Sequence, residues 1–440
     1  MNDKKNKGKS QNLWKEAKKI IPGGNQLLSK RAEMFAPDQW PAYFKKARGI
    51  KVTDLDGRTY LDFSRMGIGS CVLGYADPDV NRAVKKAIDS GSMSTLNSPE
   101  EVSLAKILIR LHPWAQMVRY ARTGGEAMSI AVRIARAASG KDTVAFCGYH
   151  GWHDWYLSGN LASDKNLDGH LLPGLLPKGV PRGLIHTAIP FRYNHIEELE
   201  AIVARHDVGV IVIEPYRHEE PKEGFLQKVK EIARKVGATL VFDEVSAAFR
   251  RNAGGVHLLY GVNPDIAVLA KAMSNGYPMA AIIGTKKVME AAQGTFISST
   301  YWTERVGPVA ALATIHKFIK KKVHLHLAKI GKEIEAGWIA LASKHGIAIT
   351  TEGPYAMVGL SFNDSNKQEL KTLFVQEMLK RGFLTELSIY VTYAHTSSDV
   401  KKYLKAVDGV FNIIARAIKE GTVGSLLEGP VAHSGFARLN

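Results

Sequence analysis

The chain predicts an α/β protein, with a large domain built on a mainly parallel sheet and a small α+β domain made from both chain ends. Three observations carry this expectation. Short apolar runs rich in Val and Ile alternate with amphipathic helical stretches through the middle of the chain, as in βαβ units covered on both faces. A hairpin-like segment precedes that middle part, and long helical stretches with one further apolar run follow it. The 440 residues, 45% hydrophobic and 23% charged, suffice for two domains and exclude a disordered chain or a disulfide-stapled miniprotein.

In chain order, residues 1–76 read as the N-terminal segment of the small domain. Within them Gly49–Asp62 predicts a hairpin around the Asp56-Gly57 turn. Residues 77–308 read as the large domain, with strands expected at Met117–Ala121, Thr143–Cys147, Leu184–Ile189, Val208–Ile213, Ala238–Phe242, Ile266–Ala270 and Ala280–Gly284. Between the first two strands, Ala127, Ile130, Ala131, Ile134, Ala135 and Ala138 form an apolar helical stripe, with Arg133 and Arg136 on another face. Residues 309–440 complete the small domain, with helices at Val309–Lys322, Lys329–His345, Lys367–Lys380 and Val400–Ile418 and a strand at Met357–Phe362.

Charge and cysteine content narrow the function classes. Lys and Arg number 59 against 42 Asp and Glu, a net charge of +17, which suits nucleic acid, an anionic membrane or an anionic small molecule. The basic residues are dispersed, and neither Lys4-Lys5 with Lys7 and Lys9 nor Lys320-Lys321-Lys322 sits in a nucleic-acid-binding motif, so solvated faces and no nucleic-acid partner are expected. Cys71 and Cys147 are too few for a disulfide framework or a thiolate zinc site. No secretory signal pattern or apolar run of membrane-spanning length is seen, and a soluble cytoplasmic protein without membrane association is expected.

Four segments carry chemistry. Thr123-Gly124-Gly125-Glu126 stands between a strand and the striped helix, where glycine N–H groups, the Thr123 hydroxyl and the helix dipole can bind an oxyanion. A plain glycine turn with Thr123 as N-cap reads equally from this segment alone. Asp243, in Val241-Phe242-Asp243-Glu244-Val245, ends an apolar strand, where ligands bind in open α/β sheets and a carboxylate needs a cation, a protonated ring nitrogen or a capping role. Lys271 follows the next apolar strand 28 residues later and is placed to form a Schiff base, or else to snorkel from the sheet rim. Tyr149-His150-Gly151-Trp152-His153 follows another strand and offers Tyr149 as a stacking ring, the alternative being core packing. His150 and His153 lack the thiolates and placed carboxylate of a zinc site, so no metal is expected. Together, a phosphate cradle, an acid for a ring nitrogen, a Schiff-base lysine and a stacking ring match the needs of one cofactor, pyridoxal 5′-phosphate (PLP).

The order of these motifs resembles the class III (ω-type) aminotransferases, fold-type I PLP-dependent enzymes, and among them the glutamate-1-semialdehyde 2,1-aminomutase branch. The resemblance runs from Ile21-Pro22-Gly23-Gly24 through Asp56-Gly57, Leu73-Gly74-Tyr75, Thr123–Ala127, Tyr149-His150-Gly151, Ile213-Glu214-Pro215 and Asp243-Glu244-Val245 to Lys271 and Ser299-Thr300-Tyr301. It implies that Lys271 forms the Schiff base, that Asp243 pairs with the pyridinium nitrogen, and that Val245 and Tyr149 pack on the two ring faces. It also implies that Thr123, Gly124 and Gly125 hold the phosphate, and that Thr300 reaches the phosphate of a neighbouring subunit in a homodimer with an interfacial active site. Arg31, after Pro22-Gly23-Gly24, matches the place of a carboxylate-binding arginine, or forms an exposed basic turn. The block Ser246-Ala247-Ala248 stands where the aminomutases commonly carry Met-Thr-Gly. Ala272–Gly276, Tyr301–Pro308 and the loop Tyr216-Arg217-His218-Glu219-Glu220 also depart from the pattern on the substrate side.

An aminotransferase or aminomutase acting on a small anionic or polar amine or oxo compound is therefore expected. Amino sugars are included among the polar oxo substrates. A PLP-dependent epimerase or ammonia-lyase is the alternative, and would need a second acid or base from among His150, Tyr301 and His395. His150 is also a candidate substrate-binding residue.

Overall fold

Burial on both faces explains why strands at the centre of this chain are continuous apolar runs. The computed structural model describes residues 8–170, 173–216 and 219–436. It divides into unit 1, Met1–Asp77 with Leu325–Asn440, and unit 2, Pro78–His324.

Unit 1 begins with strands β1 (Phe44–Arg48), β2 (Lys51–Asp54) and β3 (Thr59–Phe63). Gly57 adopts φ +86° between β2 and β3, and the Asp54 carboxylate accepts from the N–H groups of Asp56 and Arg58, so the expected hairpin turn is locked by its own side chain.

Unit 2 contains β4 (Met117–Ala121), β5 (Thr143–Cys147), β6 (Ala188–Pro190), β7 (Val208–Ile213), β8 (Thr239–Glu244), β9 (Ile266–Leu269) and β10 (Ala280–Gly284). They form one sheet in the order β4-β10-β9-β8-β7-β5-β6, parallel except for β10, which runs antiparallel to both neighbours. Every residue of β7, β8, β9 and β10 is buried. Apart from Ala138, which is exposed near the C-terminal end, the apolar stripe of the helix Gly124–Ser139 packs into the same core as Val210, Val212, Val241 and Val268. The helix stops at Gly140, whose φ of +70° provides a left-handed C-cap. The strand expected over 184–189 is shorter: residues 182–184 form a 3-10 turn behind Pro181, and only Ala188–Pro190 pair, on the sheet edge where proline is tolerated. The helix Val306–Lys320 stays with unit 2, where it packs on the helices Pro78–Asp89 and Pro99–Leu111, so the second division falls at residues 324/325 instead of 308.

Unit 1 resumes with β11 (Ile349–Glu352), β12 (Met357–Phe362), β13 (Phe383–Thr385) and β14 (Ser388–Tyr390). β13 adds to β3 in parallel, so the two chain ends complete one four-stranded sheet, while β11-β12-β14 form a second sheet. Among the described residues no helix is long and apolar enough to cross a membrane.

Candidate active site

Strand register brings the chemical segments to one edge of the unit 2 sheet. Cys147 lies beside Ile213, Ile213 beside Phe242, Asp243 beside Val268 and Glu244 beside Leu269. Through β10, Ala121 aligns with Ala280 and Leu269 with Ala281. The carboxyl ends of β4, β5, β7, β8 and β9 therefore share one edge, and the residues that follow them emerge side by side.

Asp243 is buried at this edge, and both carboxylate oxygens are oriented. Oδ1 accepts from the Val245 N–H at 2.9 Å, and Oδ2 lies 2.8 Å from His150 Nδ1. A carboxylate only accepts, so His150 Nδ1 is the donor. Each oxygen retains acceptor capacity for a further N–H, such as a protonated ring nitrogen. His150 itself is fully buried, its Nε2 3.2 Å from the Cys147 carbonyl. Expected on the substrate side, it is instead held between the Asp243 carboxylate and the Cys147 carbonyl.

Tyr149 is 37% exposed and stands T-shaped against Tyr156 at 5.8 Å. Its phenol is pushed up by partial burial and by the Asp243 and Glu214 carboxylates, favouring the protonated form. The Tyr149 N–H donates to Glu214 Oε2 at 3.1 Å, and a Cβ on Gly148, whose φ is +124°, would strike the Glu214 side chain. Glycine is required there by both backbone angle and space.

At the β4 end, Thr123 and Glu126 form a reciprocal capping box. The Thr123 hydroxyl, expected to donate to an oxyanion, is instead 3.1 Å from Glu126 Oε2 and also accepts the Glu126 N–H. The turn still suits an anion through its backbone, since the first N–H groups of a helix have no intrahelical acceptor. A Cβ on Gly124 would come within 2.8 Å of Val245 Cγ1, and one on Gly125 within 3.1 Å of His153. Val245 thus packs directly against the glycine turn, linking it to the Asp243 strand end.

Lys271 leaves β9 with φ +38°, a left-handed angle that costs energy for a residue with a side chain. Its Nζ donates to Ser246 Oγ at 2.6 Å, a partner that the two sequence positions alone do not reveal. Arg122, half-buried beside the glycine turn, pairs with Glu304 Oε1 at 2.7 Å and donates to the Glu304 carbonyl at 2.7 Å, tethering the segment that carries Thr300. Thr300 is exposed at the start of a 3-10 turn, its carbonyl accepting from Thr303 Oγ1.

The remaining candidates are Arg31, His395, Tyr301 and the loop at 216–220. Arg31 belongs to unit 1, with its guanidinium 5.7 Å from the Phe436 ring centre. His395 is fully buried in unit 1, Nε2 lying 2.9 Å from the Asp62 carbonyl, and burial pushes it down to about 4, which favours the neutral ring. Tyr301 is 72% exposed. Of the loop at 216–220, Arg217 and His218 lie outside the described residues.

The residues at the edge fit PLP: a glycine turn at a helix N-terminus, a buried carboxylate with spare acceptor capacity, a lysine at an adjacent strand end and a partly exposed tyrosine. Residues 34–406 match the family model for class-III aminotransferases. The chain is 30% identical over 422 residues to 3-aminobutyryl-CoA aminotransferase of Cloacimonas acidaminovorans, covering 92% of this chain and 97% of the relative. It is 30% identical over 426 residues to glutamate-1-semialdehyde 2,1-aminomutase of Methanobrevibacter smithii, covering 91% and 97%. Its fold superposes on the FumI protein of Sphingopyxis sp. MTA144 in its PLP internal aldimine form with a TM-score of 0.84 and 25% identity, covering 94% and 98%. The chain belongs to the class III aminotransferase family and is a PLP-dependent enzyme with a fold-type I architecture.

Proposed function

We propose that the chain is an aminotransferase in which Lys271 bears the cofactor and carries the proton during amino transfer. The observation that supports this most is the juxtaposition of Asp243 and Lys271 at the ends of neighbouring parallel strands, with Val245 pressed against the glycine turn. PLP supplies an electron sink for charge developing on the substrate carbon. Asp243, fixed by Val245 N–H and His150, would hold the ring nitrogen's proton, and His150 positions that carboxylate. The N–H groups of Gly124 and Gly125 would hold the phosphate, and Tyr149 and Val245 would cover the ring faces and exclude water. Lys271 would take the proton from the substrate carbon and return it to the cofactor-side carbon.

The reading includes a homodimer in which Thr300 reaches the partner's phosphate site. It also includes an anionic or polar amine substrate, with Arg31 gripping a carboxylate by its planar fork. The test is borohydride reduction of the PLP-loaded protein followed by peptide mapping. A pyridoxyl label on Lys271 is expected; a label on another lysine, or none with cofactor bound, would overturn the assignment.

A further inference from the structure

A lysine that carries a cofactor must be let go and taken back in every turnover, and while free it is a flexible four-carbon chain with an amine at its end. A neutral amine has two N–H groups and one lone pair, so anchoring one N–H restricts where the lone pair points. In this protein the anchor is Ser246 Oγ, 2.6 Å from Lys271 Nζ.

The mount of that hydroxyl is rigid. Ser246 follows directly on the β8 end, where Asp243 Oδ1 accepts the Val245 N–H and the Glu244 carbonyl accepts the Ala248 N–H at 3.0 Å. The carbonyl of Ser246 itself accepts from Arg250 Nε at 3.2 Å, and the Arg250 side chain is among the largest fully buried ones. Register fixes the other half, since Glu244 pairs with Leu269 and the chain exits of β8 and β9 run side by side.

We propose that Ser246 is a positioning residue that receives the Lys271 amine whenever it is released and thereby stabilises the released state. The inference rests on the reading that Lys271 bears the cofactor. In the release step an incoming primary amine forms a bond to the cofactor's C4′ carbon as the bond from C4′ to Nζ breaks. The two N–H hydrogens of the incoming amine pass to Nζ, and no oxidant or reductant is involved. One of the N–H groups so formed donates to Ser246 Oγ, an interaction the bound lysine nitrogen, which has no NH₂ group, cannot make in the same way.

Methylamine, which requires no knowledge of the natural substrate, is the probe. The PLP-loaded wild type and the variants Ser246→Ala, Ser246→Thr and Ser246→Met are titrated with methylamine, and displacement of the lysine is followed by the visible absorbance of the cofactor. A net hydrogen bond of ordinary strength corresponds to about a three- to tenfold rise in the half-displacement concentration for Ser246→Ala and Ser246→Met, with Ser246→Thr close to wild type. A value for Ser246→Ala within twofold of wild type, or below it, overturns the proposal. So does a Ser246→Thr variant as resistant as Ser246→Ala, because the effect would then belong to space and not to the hydroxyl. Borohydride labelling of the same samples separates the two levels: a pyridoxyl label away from Lys271 overturns the underlying reading, whereas a label on Lys271 with an unchanged titration overturns only the role of Ser246.

Discussion

Asp243 and Glu244 are consecutive carboxylates at the end of β8, both buried and each paired with a histidine, yet they sit in opposite circumstances. Asp243 accepts from one backbone N–H and from His150, and it faces the edge where the glycine turn, Tyr149 and Ser246 converge. Glu244 points to the other side of the strand and accepts three donors: the Val256 N–H at 2.6 Å, the His257 N–H at 2.9 Å and His257 Nδ1 at 2.6 Å. Trp114 Nε1 donates to His257 Nε2 at 2.9 Å, closing the cluster from behind. Carboxylate–histidine pairing alone therefore marks neither function nor structure. The number of acceptor sites left over, and what lies in front of them, tells them apart.

The two isosteric amides test this difference. Glu244→Gln places an NH₂ group among three donors in a sealed space, and each buried donor left without an acceptor costs about 1–3 kcal/mol, more where the lost acceptor was charged. The expected reading is a fall in apparent Tm on the order of 10 °C, with the remaining folded protein turning over normally. An unchanged Tm would show that the cluster is not a structural lock. Asp243→Asn is expected to do the reverse. Its Oδ1 can still accept from Val245, and its NH₂ can donate to His150 Nδ1 once the ring proton sits on Nε2 toward the Cys147 carbonyl, so Tm should move by only a few degrees, while loss of the negative charge proposed to face the ring nitrogen lowers the rate by about 10²–10³, taking the loss of one electrostatic partner as the guide. Near-wild-type turnover in Asp243→Asn would remove it from the proposed chemistry.

What could be read from the sequence follows the same division between position and partner. The strands at 208–213 and 280–284 were legible because burial on both faces leaves an uninterrupted apolar run, and that at 143–147 nearly so, whereas the strand at 117–121 is partly buried and carries Arg119. The run at 184–189 misled because an edge strand next to Pro181 and Pro190 is shortened by local backbone constraints that hydrophobicity does not report. Asp243 and Lys271 stood out as single charges closing apolar runs. Their partners did not, since His150 and Asp243 are 93 positions apart and only the parallel register between β5, β7 and β8 unites them. The engagement of the Thr123 hydroxyl was in principle visible, because Thr-Gly-Gly-Glu has the spacing of a capping box. Ser246 carried no signal beyond its departure from the family pattern.

The smallest effect expected comes from His112, which borders the closed cluster. It is fully buried, its ring centre 5.7 Å from that of His257. Nε2 accepts the Gly255 N–H at 2.8 Å, which leaves the ring proton on Nδ1, directed at the Leu108 carbonyl at 2.8 Å. Burial pushes this imidazole down to about 4, against about 6.5 in an unfolded chain. Between those values the unfolded chain binds a proton that the folded protein does not, so stability rises with pH across that window. The contribution is complete above about pH 6.5 and is lost as pH falls toward 4, for a change of up to about 3 kcal/mol. His112→Gln can keep both hydrogen bonds but cannot titrate, and it is expected to be somewhat less stable than wild type at pH 7. As the pH is lowered from 7 to 4 the gap in apparent Tm should narrow by several degrees, because the wild type carries an extra proton-linked loss. Parallel Tm profiles for the two proteins would mean that His112 is not held neutral by burial, and that the cluster behind Glu244 is as open to protons as the edge in front of Asp243.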